Sequence, residues 1–210
     1  MTKGIVSGVV SNMVTLRVDG PVLQGEICYI TTGGDRLMAE VIKVVGSDVY
    51  VQVFESTRGL KVGSQAEFTG HQLEIQLGPG MLSKNYDGLQ NDLDKMDGVF
   101  LRRGQYTAPL DEDRLWDFEP IVKAGDRVQG SDWLGKVEEN HQPLKIMAPF
   151  QMEGTAVVKS IVPAGQYKVN DTIAVLTTEA GEDINVTMVQ HWPGKFAMTN
   201  HKEKPRPVKL

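Results

Sequence analysis

Apolar and polar positions alternate in short runs along residues 4–70. Gly4–Val10, Met13–Val18, Glu26–Thr31, Leu37–Val45 and Val49–Phe54 are rich in Val, Ile and Tyr, with Ser-Asn, Asp-Gly-Pro, Gly-Gly-Asp and Gly-Ser-Asp between them. Strands of this length joined by turns at this spacing predict a small barrel or sandwich. Asp48–Glu55 keeps the strict two-residue period of a half-buried strand. Thr57-Arg-Gly-Leu-Lys-Val-Gly63 reads as a turn before a last strand pair near Ala66–Gln76.

Residues 77–115 lose this period. They hold Gly-Pro-Gly, Asn-Tyr-Asp-Gly and Arg-Arg-Gly, with one short helix expected at Leu89–Lys95. So long a passage without regular structure is unusual inside one compact domain, so it is expected to lie over another surface. Without that surface, 77–115 should be among the most loosely held residues or find a substitute partner. Residues 116–189 are strand-like again and carry an internal echo. Val122-Lys-Ala-Gly-Asp-Arg-Val-Gln-Gly-Ser-Asp-Trp-Leu-Gly-Lys-Val137 and Ile161-Val-Pro-Ala-Gly-Gln-Tyr-Lys-Val-Asn-Asp-Thr-Ile-Ala-Val-Leu176 share one plan of glycine, spacer, turn and apolar strand. Two such hairpin units packed face to face make a barrel-sandwich hybrid. His191–Leu210, rich in Pro and Lys, is expected to be extended or disordered. The chain therefore reads as mainly β.

Composition narrows the function classes. The 210 residues suffice for one large domain or two small ones, and 40% hydrophobic with 23% charged residues permits a soluble core. A net charge of −5, with no basic block outside the C-terminal tail, argues against nucleic-acid binding. The single cysteine, Cys28, excludes an internal disulfide framework and suits a reducing cytoplasm. No apolar run approaches the roughly 20 residues that span a bilayer. The Met-Thr-Lys-Gly-Ile-Val start has no apolar stretch of signal-peptide length. The expectation is a cytoplasmic, soluble chain that meets a membrane only through partners.

Few residues offer chemistry. Gly130-Ser-Asp-Trp-Leu-Gly135-Lys136-Val137 matches a phosphate-binding loop through its lysine, but Val137 stands where Ser or Thr should hold magnesium. Such a loop also leads into a helix N-terminus, whereas this one enters an expected strand at Leu134–Glu138, so the glycines read as turn formers. Biotinyl and lipoyl carrier domains share the paired-hairpin plan and present a lysine at a hairpin tip. The tip here, Glu138–Pro143, has none; Lys145 follows it and would need a slipped register. His71, His141, His191 and His201 are scattered without metal-ligand spacing. Asp111-Glu-Asp-Arg-Leu-Trp-Asp117 clusters four carboxylates around an arginine and reads as a solvated face rather than acid/base machinery. Trp116, Phe118, Trp133 and Trp192 are expected as core or interface anchors, and Arg102 and Arg103 as structural pairing residues. No catalytic, cofactor-binding or metal-binding residue is assigned in this chain.

One stretch carries more. Leu77-Gly-Pro-Gly-Met-Leu82 followed by Tyr86-Asp-Gly-Leu-Gln90 resembles the segment after the N-terminal barrel in the catalytic A subunit of V-type (vacuolar/archaeal-type) rotary ATPases. The resemblance covers nearly the whole chain. Gln52-Val-Phe-Glu55, Thr57-Arg-Gly-Leu60, Gly98-Val-Phe-Leu-Arg-Arg-Gly104, Leu110-Asp111, Trp116-Asp-Phe-Glu-Pro120, Gln190-His-Trp-Pro193 and Lys204-Pro-Arg-Pro207 are similar to family elements in the family's order. The paired hairpins at 121–176 resemble the bulge insertion of that subunit. Departures are Gln90-Asn-Asp-Leu93 where Gln-Arg-Pro-Leu is usual, Ser11-Asn-Met13 where Gly-Pro is common, and His191 in place of arginine. They point to a divergent bacterial branch.

The resemblance implies a β-barrel at 1–76, an irregular connector at 77–115, a bulge domain at 116–190 and an extended tail at 191–210 leading to a nucleotide-binding domain. It implies ATP hydrolysis or synthesis coupled to proton or sodium transport by the full-length subunit, with ATP and magnesium held outside this stretch. The implied partners are B subunits in an alternating hexameric ring and peripheral stalk subunits at the bulge. The family's catalytic residues have no positions here. The expected role of this N-terminal portion is assembly, with a carrier domain or a stand-alone interaction protein as the alternatives.

Overall fold

The computed structural model describes residues 2–96 and 103–195. The first six strands are β1 (Lys3–Val10), β2 (Met13–Val18), β3 (Glu26–Thr32), β4 (Asp35–Val45), β5 (Asp48–Val53) and β6 (Gln65–Gln72). They pair antiparallel in the order β1-β2-β5-β4-β3-β6 and close into a barrel. Alternate residues point inward, as the pleat demands. Val6, Leu16, Ile30, Leu37, Val49, Val51 and Phe68 thus form one buried cluster. The closing seam is short: Lys3, Gly4 and Ile5 face Glu67, Ala66 and Gln65. A side chain on Gly4 would stand 3.1 Å from Val18 and 3.2 Å from Phe68, so a bare backbone lets the walls meet.

β4 is buried on both faces from Leu37 to Val41. Its outward Met38 and Glu40 are engaged by two later pieces of chain in the same compact unit. Met38 N donates to Tyr106 Oη at 2.9 Å, Tyr106 donates to Glu55, and Lys195 pairs with Glu40. Burial, then the hydrogen bond to Glu55, pushes the Tyr106 phenol's pKa up.

The second unit begins with β7 (Glu74–Leu77), which pairs with β16 (Gln190–Pro193). A 3-10 turn spans Leu93–Lys95. The remaining strands are β8 (Leu115–Pro120), β9 (Arg127–Gln129), β10 (Trp133–Glu139), β11 (Gln142–Met147), β12 (Thr155–Ile161), β13 (Gly165–Lys168), β14 (Ala174–Thr178) and β15 (Asp183–Val186). They form two sheets, β11-β10-β8-β13 and β15-β14-β12-β9. The echo in the sequence explains this order. Replacing β8–β11 by β12–β15 converts one sheet into the other, and each repeat lends its short second strand to its partner's sheet. The linking turns match as well. Gln129 N donates to Asp132 Oδ2 at 2.9 Å, and Lys168 N donates to Asp171 Oδ2 at 2.8 Å. One core gathers Trp116, Phe118, Val137, Ile146 and Ile173; a second gathers Leu134, Val158 and Leu176.

The fold is the expected barrel followed by a barrel-sandwich unit. Three details differ from the sequence reading. Residues 77–115 are not one connector: residues 75–94 and 108–115 belong to the second unit, and 103–107 to the barrel unit. Their described parts are tied down rather than loose, because side chains grip their backbone. The helix expected over Leu89–Lys95 shrinks to Leu93–Lys95. Asp87 Oδ1 takes Leu89 N at 2.9 Å and Asn91 N at 2.8 Å, and Gln90 sits at φ 62°, which a right-handed helix cannot contain. In the expected extended tail, residues up to Pro193 form β16; Phe196 onward lies outside the described residues.

Cys28 is fully enclosed in the barrel core. Burial, reinforced by the nearby negative charge of Glu26, pushes its thiol up to about 12. Reactivity follows the thiolate. At pH 8 a maleimide should leave Cys28 unmodified in the folded chain and alkylate it in denaturant, read by intact mass.

Candidate functional site

The phosphate-loop match does not build a nucleotide site. Lys136 lies within β10 and pairs with Glu119 at 2.7 Å. Val137, where a hydroxyl would hold magnesium, is buried in the core. Strand rather than helix follows the glycines, so no helix N-terminus faces a phosphate. Gly135 has a packing reason instead. A Cβ there would lie 2.2 Å from the Phe118 ring and 2.9 Å from the Glu119 carbonyl. These residues do not fit ATP and magnesium.

Lys145 is not on a hairpin tip. The β10–β11 turn is Asn140–His141, at φ 50° and 63°, the conformation that two-residue hairpins favour. Lys145 faces Lys136 across the strand pair and its ammonium sits 4.7 Å from the Trp133 ring centroid. A carrier attachment point is therefore absent from the tip.

The other candidates disperse. Asp113 pairs with Lys168 at 2.8 Å, and that hydrogen bond lowers the carboxyl pKa and raises the ammonium pKa. Asp117 accepts from Gln166 at 3.1 Å, and Asp111 accepts from Asp113 N at 3.1 Å. His71 is on β6, His141 on the exposed turn and His191 on β16; His201 lies outside the described residues. No group of three metal-ligating side chains occurs among the described residues. Trp116 and Phe118 are core residues, Trp133 is exposed, and Trp192 meets Phe150 edge to face at 6.1 Å. Arg103 pairs with Asp35 at 3.5 Å and donates to the Arg58 carbonyl, a structural use; Arg102 lies outside the described residues.

What the structure does assemble is the loop that follows β7. Gly80 N and Leu82 N donate to a single oxygen, Glu139 Oε1, at 2.9 and 3.0 Å. Gln90 docks its side-chain amide on the Gln76 backbone, donating and accepting at 2.7 Å. Tyr86 Oη donates to the Pro109 carbonyl at 2.8 Å, and Lys84 meets the buried Asp92 at 3.2 Å. Gly78 leaves room for Leu110 and the Met188 carbonyl, both 3.1 Å from a Cβ built there, and Gly80 takes φ 103°. Glu139 was missed from the sequence. It reads like its exposed neighbour Glu138, and nothing local marks one carboxylate as buried.

Known families match these two units in the same order. A model described as the ATP synthase alpha/beta family, beta-barrel domain, covers residues 6–70. One described as the ATPsynthase alpha/beta subunit barrel-sandwich domain covers residues 107–195. The chain belongs to the ATP synthase alpha/beta family. It is similar to the V-type ATP synthase alpha chain of Borreliella burgdorferi (strain ZS7), 43% identical over 206 residues. That match covers 97% of this chain and 36% of the relative. The Treponema denticola protein of the same name is 43% identical over 210 residues, and that of Borrelia hermsii 44% over 205. The chain thus spans about a third of the length of the curated relatives it matches. In this family member the glycine of the false phosphate loop and the glutamate after it are structural residues.

Two substitutions test that. Gly135→Ala should destabilise the barrel-sandwich unit by about 1–3 kcal/mol through overpacking on Phe118, measured by urea unfolding. Glu139→Ala strands two amide donors and should cost on the order of 2–4 kcal/mol. Hydrogen exchange at Gly80 and Leu82 should accelerate more than exchange in the barrel strands.

Proposed function

We propose that this chain supplies the barrel and barrel-sandwich domains of a V-type ATP synthase alpha chain, the catalytic A subunit of a rotary ATPase. The observation that carries the proposal is identity of 43% sustained over 97% of the chain, through both units and the segments between them. The whole subunit hydrolyses or makes ATP, coupled to proton or sodium movement by membrane partners. ATP and magnesium bind outside these two units, in keeping with a false phosphate loop whose lysine is held by Glu119.

The part played by these residues is assembly. The barrel joins A subunits to B subunits in an alternating hexameric ring. The barrel-sandwich unit meets the peripheral stalk. Acidic residues outnumber basic ones two to one over residues 108–192, which suits a partner with a basic face. The complex is cytoplasmic and peripheral to the membrane. Among the described residues no helix is long and apolar enough to cross a bilayer.

The test is an ATPase assay on the 210-residue chain with magnesium. The expected result is no turnover above buffer. Turnover abolished by Lys136→Ala would return the chemistry to the 130–137 loop and overturn the division of labour.

A further inference from the structure

The segment between β11 and β12 builds a pocket in the barrel-sandwich unit. Met152 N donates to the Pro149 carbonyl at 3.0 Å and closes a tight turn. Gln190 on β16 fixes that turn. Its side-chain amide donates to the Met147 carbonyl at 2.8 Å and accepts from Phe150 N at 3.2 Å. Gln151 reaches back and donates to the His191 carbonyl at 3.4 Å. The loop after β9 is fastened to the same place, since Ser131 N donates to the Ala148 carbonyl at 3.2 Å and Ala148 N to the Asp132 carbonyl at 2.8 Å. These pieces enclose a cavity of about 560 Å³, lined by Gln129, Phe150, Met152, Glu153 and Trp192 among others. That volume is in the range of ligand pockets, and its walls are held in place before anything binds.

The lining selects a cation. Phe150 and Trp192, 6.1 Å apart with their planes at 72°, form an aromatic corner, and the buried Met152 adds a polarisable thioether. Glu153 is exposed and has no ion pair or hydrogen-bond partner among the described residues. Elsewhere in this unit exposed carboxylates are matched: Glu119 by Lys136, Asp113 by Lys168, Glu179 by Arg127 and Asp183 by Lys159. The chain also sets a cation over a tryptophan ring twice, Arg114 at 3.9 Å from Trp116 and Lys145 at 4.7 Å from Trp133. An unmatched carboxylate beside aromatic rings offers both halves of that recognition to a cation from outside. A guanidinium fits better than an ammonium, because it stacks flat on a ring while its fork of N–H groups reaches a carboxylate. A second cavity of about 380 Å³ shares Phe150 and Gln151. Asn170 and Asn185 line it, exposed and without a hydrogen-bond partner among the described residues. Two free amides suit the main chain of an extended segment. We infer that the pocket walled by Phe150, Trp192 and Glu153 takes an arginine side chain from an extended segment of another protein. The two-to-one excess of acidic over basic residues in residues 108–192 draws such a segment to this unit. This deepens the assembly reading, on which the existence of a partner rests.

Titration of the isotope-labelled 210-residue chain with acetyl-Ala-Arg-Ala-amide tests this by NMR. Two matched probes carry lysine or the neutral isostere citrulline in place of arginine. The arginine probe should shift the Trp192 indole and the Phe150 amide resonances saturably, with a dissociation constant on the order of 1 mM for so small a ligand. The lysine probe should bind more weakly and the citrulline probe should not saturate. Glu153→Gln should weaken the arginine probe about threefold or more, as loss of an exposed ion pair predicts. Glu153 is exposed, so this variant keeps the fold, and Glu112→Gln, an exposed acid before β8, should change nothing. Unshifted Trp192 and Phe150 resonances overturn the inference. So does equal binding of the citrulline probe, which would leave a merely apolar groove, or equal binding of the lysine probe, which would remove the guanidinium. The same shifts on concentrating the chain without probe would put a second copy in the pocket and also overturn it. Ring assembly with B subunits is read separately. Arginine binding by a chain that does not assemble sinks the assembly reading and keeps the pocket, whereas assembly without arginine binding sinks only the pocket.

Discussion

The barrel depends on three residue pairs. A sheet that does not close presents two edges, each a row of unpaired backbone groups open to other chains. Here β1 closes on β6 only through Lys3, Gly4 and Ile5. The shortness of the seam follows from the tilt that closure imposes on strands. Its strength lies in what sits behind it. Phe68 fills the interior under the joint, and Gly4 lets it approach to a distance that any larger residue would lengthen. The loop before β6 reinforces the same place: Gly63 N donates to the Val6 carbonyl and Val6 N to the Ser64 carbonyl, at 2.8 and 2.9 Å. A glycine that reads as a weak point in a strand is the residue that permits closure.

The second unit meets the edge problem by exchange. β9 leaves its own repeat to pair with β12, and β13 leaves its repeat to pair with β8. Neither repeat has a complete sheet alone, so the two halves fold together or not at all. The paired Asp turns at 132 and 171 make the exchange possible. Each aspartate takes the amide three residues earlier, which turns the chain sharply between a strand in one sheet and a strand in the other.

This explains how far the sequence could be read. Period-two runs reported the barrel strands within a residue or two, because in-out alternation is local and burial on one face enforces it. The repeat in residues 122–176 was visible since its turns depend on Gly and Asp at fixed offsets. Residues 77–95 were opaque. Their order comes from Glu139 and from Gln90 on Gln76, contacts between residues far apart in sequence that no local pattern signals. The Gly130–Val137 run was legible, because Val137 and the strand that follows already argue against a phosphate site. What the sequence did not reveal is the packing reason, the ring of Phe118 against Gly135 and the carboxylate of Glu119 on Lys136. Family likeness supplied what local physics did not, the two known domain types to which the barrel and barrel-sandwich units correspond.

Several of the buried or half-buried acids in this molecule hold backbone. Glu26 takes the amides of Leu23 and Gly70, Asp87 those of Leu89 and Asn91, and Glu139 those of Gly80 and Leu82. Asp87 and Glu139 grip segments with no ladder of their own, and Glu26 grips the turn before β3 and the stretch of β6 where the β3–β6 register shifts, where amides would otherwise require water. A carboxylate used this way is unsuited to proton transfer, because moving its proton would release the loop it holds. It is well suited to holding a loop in one conformation. A loop fixed before a partner arrives loses little further conformational freedom on binding. Glu26, Asp87 and Glu139 thus hold irregular segments in one conformation.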